Sequence, residues 1–193
     1  MIGNDIVDLA LASSGKHWTS QRFLDKVFSI EEQKTIVDSD NPFNTLWLFW
    51  SMKESAYKIH VRLHGTPFFA PMKIACQIHS ETEGQITINK NRYHSSSQIT
   101  NEYIYTIACA DPSGKVLSAS GRLNHAAYCT QHHESYRRIL HAFAELWNCD
   151  METLTIRKNE AGVPSVYKSN IKQTIPFSIT HHGRYYGYAL VMS

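Results

Sequence analysis

Three short segments of the chain carry side chains that could bind a divalent cation or a phosphate group. They are residues 3–5 (Gly-Asn-Asp), residues 50–58 (Trp-Ser-Met-Lys-Glu-Ser-Ala-Tyr-Lys) and residues 176–184 (Pro-Phe-Ser-Ile-Thr-His-His-Gly-Arg). Carboxylate oxygens are the ligands that Mg²⁺ prefers, and ammonium groups bind phosphates as point charges. The three segments therefore hold the side-chain types that a metal-assisted reaction of a phosphate compound needs.

The middle segment falls within a predicted helix over residues 44–62. Glu54 and Lys58 are four residues apart and share one face of that helix, and Lys53 lies one step around it. An exposed ion pair is the ordinary interpretation of this spacing. The helix is also rich in aromatic side chains, which indicates that most of its surface is buried; they are Trp47, Phe49, Trp50 and Tyr57. Charges on a buried helix favour bound ligands, with Glu54 binding Mg²⁺ and the lysines binding phosphate.

The two outer segments are weaker signals when each is taken alone. A glycine before Asp5 in a predicted strand suggests the close approach of a backbone or a ligand, although Asp5 could equally cap a helix or end a strand. His181 and His182 are adjacent, so in an extended chain their side chains point opposite ways and do not readily bind one metal ion. Either histidine could contact a ligand at a strand end, or be merely structural or exposed.

The pattern of apolar residues predicts the elements that position these segments. Strand signals cover residues 2–9, 74–78, 86–88, 153–157, 163–167, 176–180 and 185–192, and helical spacing covers residues 20–37, 44–62 and 133–147. The turn sequence of residues 111–114 (Asp-Pro-Ser-Gly) predicts a hairpin between residues 102–110 and 115–122, and residues 159–162 (Asn-Glu-Ala-Gly) predict another between residues 153–157 and 163–167. Within residues 20–37, Ser29 and Glu32 have the spacing of a capping box that starts a second helical segment. Because strands and helices do not alternate regularly, we predict an α+β fold with an antiparallel sheet packed against helices.

Length and composition limit the classes of protein to consider. The 193 residues suffice for one domain over residues 1–193, with the alternative of two lobes that divide near residues 66–125. A net charge of +2 argues against nucleic acid as a partner, and four dispersed cysteines argue against a zinc or redox motif. Neither a signal peptide nor a bilayer-spanning run is present, so we expect a cytoplasmic protein with no membrane partner.

Taken together, the segments resemble the 4′-phosphopantetheinyl transferase superfamily. That family has a Gly-x-Asp strand followed by a Trp-Ser/Cys-x-Lys-Glu-Ala/Ser-x-x-Lys helix, which correspond here to residues 3–5 and 50–58. Residues 161–164 (Ala-Gly-Val-Pro) and 178–181 (Ser-Ile-Thr-His) look like the family's Gly-x-Pro and Ser-x-Ser-His segments. The order of segments is that of the holo-acyl-carrier-protein synthases, with Gly-x-Asp at the start.

The resemblance implies transfer of the 4′-phosphopantetheine arm of coenzyme A to a serine of an acyl or peptidyl carrier protein, with release of adenosine 3′,5′-bisphosphate. It implies that Asp5 and Glu54 bind Mg²⁺, because Val7 stands where the longer transferases carry a further acid. It also gives Glu54 and Lys58 the catalytic roles, with Glu54 or a metal-bound water that it orients taking the serine proton.

The same resemblance implies which residues contact coenzyme A. Lys53, Lys58 and His181 are expected to bind its phosphates. Weaker candidates for this contact are His182, Arg184 and Lys73, and Asp8 is expected to be structural.

Partner and assembly are less constrained. The short synthases use a basic residue near the start of the first helix to contact the acidic carrier, and Leu11 occupies that place here, so Lys16 or Arg22 would have to replace it. Short synthases form trimers with shared sites, whereas the length of this chain favours a two-lobed monomer. The carrier could serve fatty-acid, polyketide or peptide biosynthesis. The alternatives are a non-catalytic relative that binds carrier proteins, and a small antiparallel-sheet module that binds without catalysis.

Overall fold

The computed structural model describes residues 1–15, 18–67, 70–123 and 128–192. Its helices are α1 Leu9–Ser14, α2 Gln21–Val27, α3 Ile30–Asp38, α4 Pro42–His64 and α5 Tyr128–Trp147, with short 3-10 helices at Pro71–Lys73 and Met151–Thr153. Its strands are β1 Ile2–Asp8, β2 Ile74–Ile78, β3 Glu83–Ile88, β4 Asn91–Ile99, β5 Tyr103–Cys109, β6 Val116–Arg122, β7 Leu154–Lys158, β8 Pro164–Lys168, β9 Ile171–Lys172, β10 Phe177–His182 and β11 Tyr185–Val191.

The strands form three antiparallel sheets. A five-stranded sheet has the order β1-β5-β4-β3-β2, and two three-stranded sheets have the orders β10-β11-β6 and β7-β8-β9. These sheets pack against helices, so the predicted α+β class is confirmed. No helix in the described ranges is long and apolar enough to span a bilayer.

Helix α4 begins and ends where local chemistry requires it. The Asn41 side chain accepts a hydrogen bond from the Asn44 N–H (3.1 Å), and Pro42 opens the first turn, where its missing N–H costs nothing. Gly65 ends the helix with a φ of 70°, and its N–H donates to the Val61 carbonyl. The helix therefore runs 23 residues and reaches across the five-stranded sheet.

Gly3 allows α4 to approach β1 closely. A Cβ atom at Gly3 would lie 2.1 Å from the Ser55 carbonyl oxygen of α4, a distance that no side chain can occupy. The glycine before Asp5 is thus explained by the packing of a helix backbone on the strand. This close contact fixes the position of Asp5 relative to the charged residues of α4.

The predicted hairpin between residues 102–110 and 115–122 is wrong. The turn itself forms, since the Asp111 carboxylate accepts a hydrogen bond from the Ser113 N–H (2.9 Å). Strand β5, however, pairs with β1 and β4, and β6 pairs with β11 in a different sheet. The turn therefore carries the chain from one sheet to the other. The hairpin predicted around residues 159–162 is confirmed by the pairing of β7 with β8.

Two apolar cores lie on either side of this crossing. The first joins α4 to the five-stranded sheet and includes Phe49, Met52 and Ile104. The second joins α5 to the smaller sheets and includes Phe143 and Phe177. Strand β1 is an edge of the first sheet, β10 is an edge of another, and the two strands lie against each other. The candidate site forms along this junction.

Candidate active site

Asp5 is the point where β1, α4 and β10 meet. Its Oδ1 atom lies 3.3 Å from the Lys58 ammonium of α4 and accepts a hydrogen bond from the Thr180 hydroxyl of β10 (3.1 Å). Lys58 also donates to the Asn4 carbonyl (2.6 Å). The carboxylate is thus nearly buried yet held by one charged and one neutral donor from separate elements.

Glu54 lies one helical turn before Lys58 and faces the same region. The pKa of Glu54 is raised to about 7, mainly by burial and then by the charge of Asp5, while Lys58 opposes the shift. Across the described ranges, no hydrogen bond to the Glu54 carboxylate is found. Two carboxylates therefore face one ammonium group, so the negative charge at this position is only partly balanced.

This donor set fits a hard divalent cation. Mg²⁺ is commonly held by one or two carboxylates and completes its octahedral shell with waters and substrate phosphates. Asp5 and Glu54 supply two such carboxylates, and their mutual repulsion would be relieved by a cation between them. In the described part of the chain, no group of three or more acidic, histidine or cysteine side chains forms a metal cage.

A cleft of about 250 Å³ opens beside Lys58, between α4, α5 and the turn after β7. Its lining is partly aromatic and partly cationic, with Lys58, Arg62 and Lys158 contributing permanent charge; the remaining side chains include Tyr57, Tyr136, His132 and His181. The segment 161–164 closes one wall. Guanidinium and ammonium groups around an apolar cleft suit a phosphorylated organic ligand.

His181 lines the cleft with a neutral imidazole. Its pKa is lowered to about 4, mainly by burial and then by the neighbouring His132 and Lys58. Its Nδ1 atom is 3.0 Å from the Gln131 side-chain oxygen, which fixes the plane of the ring. The adjacent His182 points the other way, and its Nδ1 accepts a hydrogen bond from the Asp8 N–H (2.9 Å). The two histidines therefore serve different places, as expected for neighbours in a strand.

The predicted phosphate contact of Lys53 is corrected by its position. The side chain is 1% exposed, and its ammonium group lies 2.9 Å from a Glu32 carboxylate oxygen. It also donates to the carbonyls of Pro71 (3.0 Å) and Ile74. Successive helix residues point about 100° apart, so Lys53 faces α3 and β2 while Glu54 faces the site. Lys53 is a structural residue.

The weaker candidates also lie outside the cleft lining. Arg184 forms a two-pronged ion pair with Asp8 (2.8 Å for each contact), and Asp8 also caps α1 by accepting from the Ala10 and Leu11 N–H groups. Lys73 lines a separate small pocket with His60. For carrier contact, Leu11 is about half exposed and Arg22 is exposed, whereas Lys16 lies outside the described residues.

Sequence reasoning missed four cleft residues. Arg62 could have been found, because it follows Lys58 by four residues and so shares its helix face. Three others come from α5 and β7, where no motif marks them; they are His132, Tyr136 and Lys158. Only the packing of α5 on β10 and β7 reveals that these side chains line one cleft with Lys58.

Comparison with protein families identifies the family of this chain. Residues 1–108 match the family model described as the 4′-phosphopantetheinyl transferase superfamily. The match runs from β1 through β5, and so includes Asp5, Glu54 and Lys58 but not His181. A search of curated proteins returned no match.

Proposed function

The chain belongs to the 4′-phosphopantetheinyl transferase superfamily, and from this premise we propose a specific reaction. It transfers the 4′-phosphopantetheine arm of coenzyme A to a serine of an acyl or peptidyl carrier protein, in the manner of a holo-acyl-carrier-protein synthase, and it depends on Mg²⁺. The observation that carries the proposal is the cluster of Asp5, Glu54 and Lys58 beside a cationic cleft.

Asp5 and Glu54 would hold the cation. When bound, Mg²⁺ supplies charge neutralisation to the pyrophosphate oxygens of coenzyme A. The raised pKa of Glu54 supports this role, because burial and the charge of Asp5 both disfavour its ionised form, which a bound cation would stabilise. Asp5 is held in place for this role by Lys58 and Thr180.

The cleft cations would bind and orient the donor. Lys58, Arg62 and Lys158 place positive charge along the cleft, and His181 presents an imidazole between them. Phosphoryl transfer depends more on in-line positioning and charge neutralisation than on covalent help from the protein. The same groups stabilise the departing adenosine 3′,5′-bisphosphate, whose charge rises as the bond breaks.

The attacking serine must lose a proton. Glu54 takes it, either directly or through a water molecule that it orients. The carboxylate is near enough to Asp5 and Lys58 for each to affect its pKa, so the proton acceptor and the phosphate-binding ammonium lie in one place. Attack and charge neutralisation are thereby brought to the same side of the cleft.

The substitution Glu54→Gln tests this assignment. It removes the charge at nearly constant shape, and we expect release of adenosine 3′,5′-bisphosphate to slow at least about 100-fold in the presence of apo carrier, coenzyme A and Mg²⁺. Glu31→Gln is the matched control, because Glu31 is an exposed glutamate on α3, remote from the cleft lining. Near-wild-type turnover by Glu54→Gln would contradict the proposed role.

A further inference from the structure

Strands β1 and β10 are joined by side chains instead of a backbone ladder. The Asn4 N–H donates to the Ser178 hydroxyl (3.1 Å), the Thr180 hydroxyl donates to Asp5 Oδ1 (3.1 Å), and the Asp8 N–H donates to His182 Nδ1 (2.9 Å). Residues 178, 180 and 182 alternate along β10, so they share one face. We call this row of three hydrogen bonds the seam.

Thr180 differs from the other two members of the seam. Ser178 and His182 bind backbone N–H groups, whereas Thr180 binds the carboxylate that is a candidate metal ligand. Both donors to Asp5, Thr180 and Lys58, bind the same oxygen, Oδ1. Within the described residues, Oδ2 has no hydrogen-bond partner. One oxygen of Asp5 is therefore anchored and the other is left for a ligand.

Thr180 is itself held in place. It is 6% exposed and pairs with Gly187 across the β10–β11 ladder. A Cβ atom at Gly187 would lie 3.2 Å from the Thr180 methyl carbon and 2.4 Å from the ring of Tyr105. The glycine leaves room for both groups, and the β-branched side chain has few rotamers to choose from. The hydroxyl is thus presented to Asp5 from a fixed position.

We propose that Thr180 is a positioning residue that orients the Asp5 carboxylate for a divalent cation. This inference rests on the proposed function, because it takes Asp5 as a metal ligand. Lys58 lines the cleft and is drawn toward a bound phosphate, so its contact with Asp5 is shared. The neutral hydroxyl of Thr180 has no such competing charge to bind. Asp5 lies within residues 1–108, which match the family model, whereas Thr180, which orients its carboxylate, lies outside that range.

The test compares variants of Thr180 for binding of Mn²⁺, a spectroscopic substitute for Mg²⁺, by electron paramagnetic resonance. Loss of a hydrogen bond to a metal-ligating carboxylate typically weakens metal affinity about 10- to 100-fold. We expect a loss of that size in Thr180→Val, which keeps the shape of the side chain, and an affinity within about threefold of wild type in Thr180→Ser, which keeps the hydroxyl. The apparent KM for Mg²⁺ in the transfer assay should follow the same order.

A second pair of variants provides the same test if Thr180→Val folds poorly. Thr180→Ala and Thr180→Ser both lack the methyl group and differ only in the hydroxyl, so their difference in Mn²⁺ affinity isolates the hydrogen bond. The matched control is Thr106→Val, since Thr106 is equally buried but shares its hydroxyl with Ser97 (2.9 Å). Thermal melting of each variant reports the purely structural effect.

Unchanged Mn²⁺ affinity in Thr180→Val and in Thr180→Ala would overturn the inference, as would an equal loss in Thr106→Val. Absence of Mn²⁺ binding to the wild-type protein would overturn it as well. The inference and the proposed function can fail separately. If the wild type modifies carriers and Thr180→Val does so with an unchanged requirement for Mg²⁺, only the inference fails. If no carrier is modified while Mn²⁺ binding depends on the hydroxyl, only the proposed function fails.

Discussion

At the scale of residues, spacing identified which side chains could act but not which way each one faces. The four-residue interval predicted that Glu54 and Lys58 share a helix face, and both affect the electrostatics around Asp5. The same segment led to a wrong expectation for Lys53, because a motif gives no direction by itself. The ion pair of Lys53 with Glu32 depends on α3 packing beside α4, which no local pattern contains.

Lys53→Met tests the structural role of this lysine. We expect the free energy of unfolding to fall by about 3–5 kcal/mol, because the Glu32 carboxylate would remain buried without its counter-ion. Urea denaturation measures the loss. The double variant Glu32→Gln/Lys53→Met should be more stable than Lys53→Met alone, since no isolated charge remains.

The activity of Lys53→Met distinguishes a structural role of Lys53 from a phosphate-binding role. At a temperature where the variant is folded, its KM for coenzyme A should stay within about threefold of the wild-type value, because Lys53 is absent from the cleft lining. If the KM for coenzyme A rises well beyond this while the free energy of unfolding is unchanged, the hypothesis that Lys53 binds a phosphate of coenzyme A would be correct.

At the scale of elements, most helices and strands were predictable in existence and type, although α1 and β4 were missed, and most strand partners were not predictable. Helix α4 was expected over residues 44–62 and runs over Pro42–His64, because its caps and aromatic spacing are local signals. The capping box at the start of α3 was equally visible, with Ser29 and Glu32 bonded reciprocally. Strands β5 and β6 were also located correctly.

The pairing of β5 and β6 shows where local information ends. A strong turn sequence at residues 111–114 predicted a hairpin, yet each flanking strand has its partners in a separate sheet. A turn fixes only the reversal of the chain, and burial decides which strands pair. The cleft arises from this crossing, since it brings α5 and β10 beside α4. Its α5 and β7 residues were therefore beyond the reach of sequence reasoning.

At the scale of the whole molecule, the ion pair between Asp8 and Arg184 connects the two apolar cores. Burial by itself raises the pKa of Asp8, but hydrogen bonds from the Arg184 side chain and from backbone N–H groups outweigh it and hold the value at about 2. The carboxylate ends β1 and caps α1, and Arg184 begins the return of the chain into β11. This ion pair thus holds the β10–β11 turn, and with it His181, against the strand of Asp5.

Acid should weaken the ion pair between Asp8 and Arg184 in a defined range of pH. The folded pKa of Asp8 lies below its ordinary value of 3.8, so the stabilisation is present above about pH 4 and is lost as pH falls toward 2. The shift corresponds to about 2 kcal/mol. We therefore expect Arg184→Ala to lower the free energy of unfolding at pH 7 by about 2–3 kcal/mol, and this difference should shrink between pH 4 and pH 2.

Denaturation of wild type and variant across that range measures the effect. Arg92→Ala is the control, because Arg92 is an exposed arginine on β4 and should show a small difference at every pH. A constant deficit of Arg184→Ala from pH 7 down to pH 2 would contradict the assignment to the Asp8 charge.

Intact-mass spectrometry of apo carrier proteins shows directly whether this protein transfers the phosphopantetheine arm. A panel of acyl and peptidyl carriers is incubated with the protein, coenzyme A and Mg²⁺, and with EDTA in place of Mg²⁺ as the control. We expect a gain of about 340 Da on at least one carrier, the mass of one phosphopantetheine arm, located on a serine and absent with EDTA. No gain on any carrier, from a folded protein that binds coenzyme A, would contradict the proposed transfer reaction and favour a carrier-binding relative without catalysis.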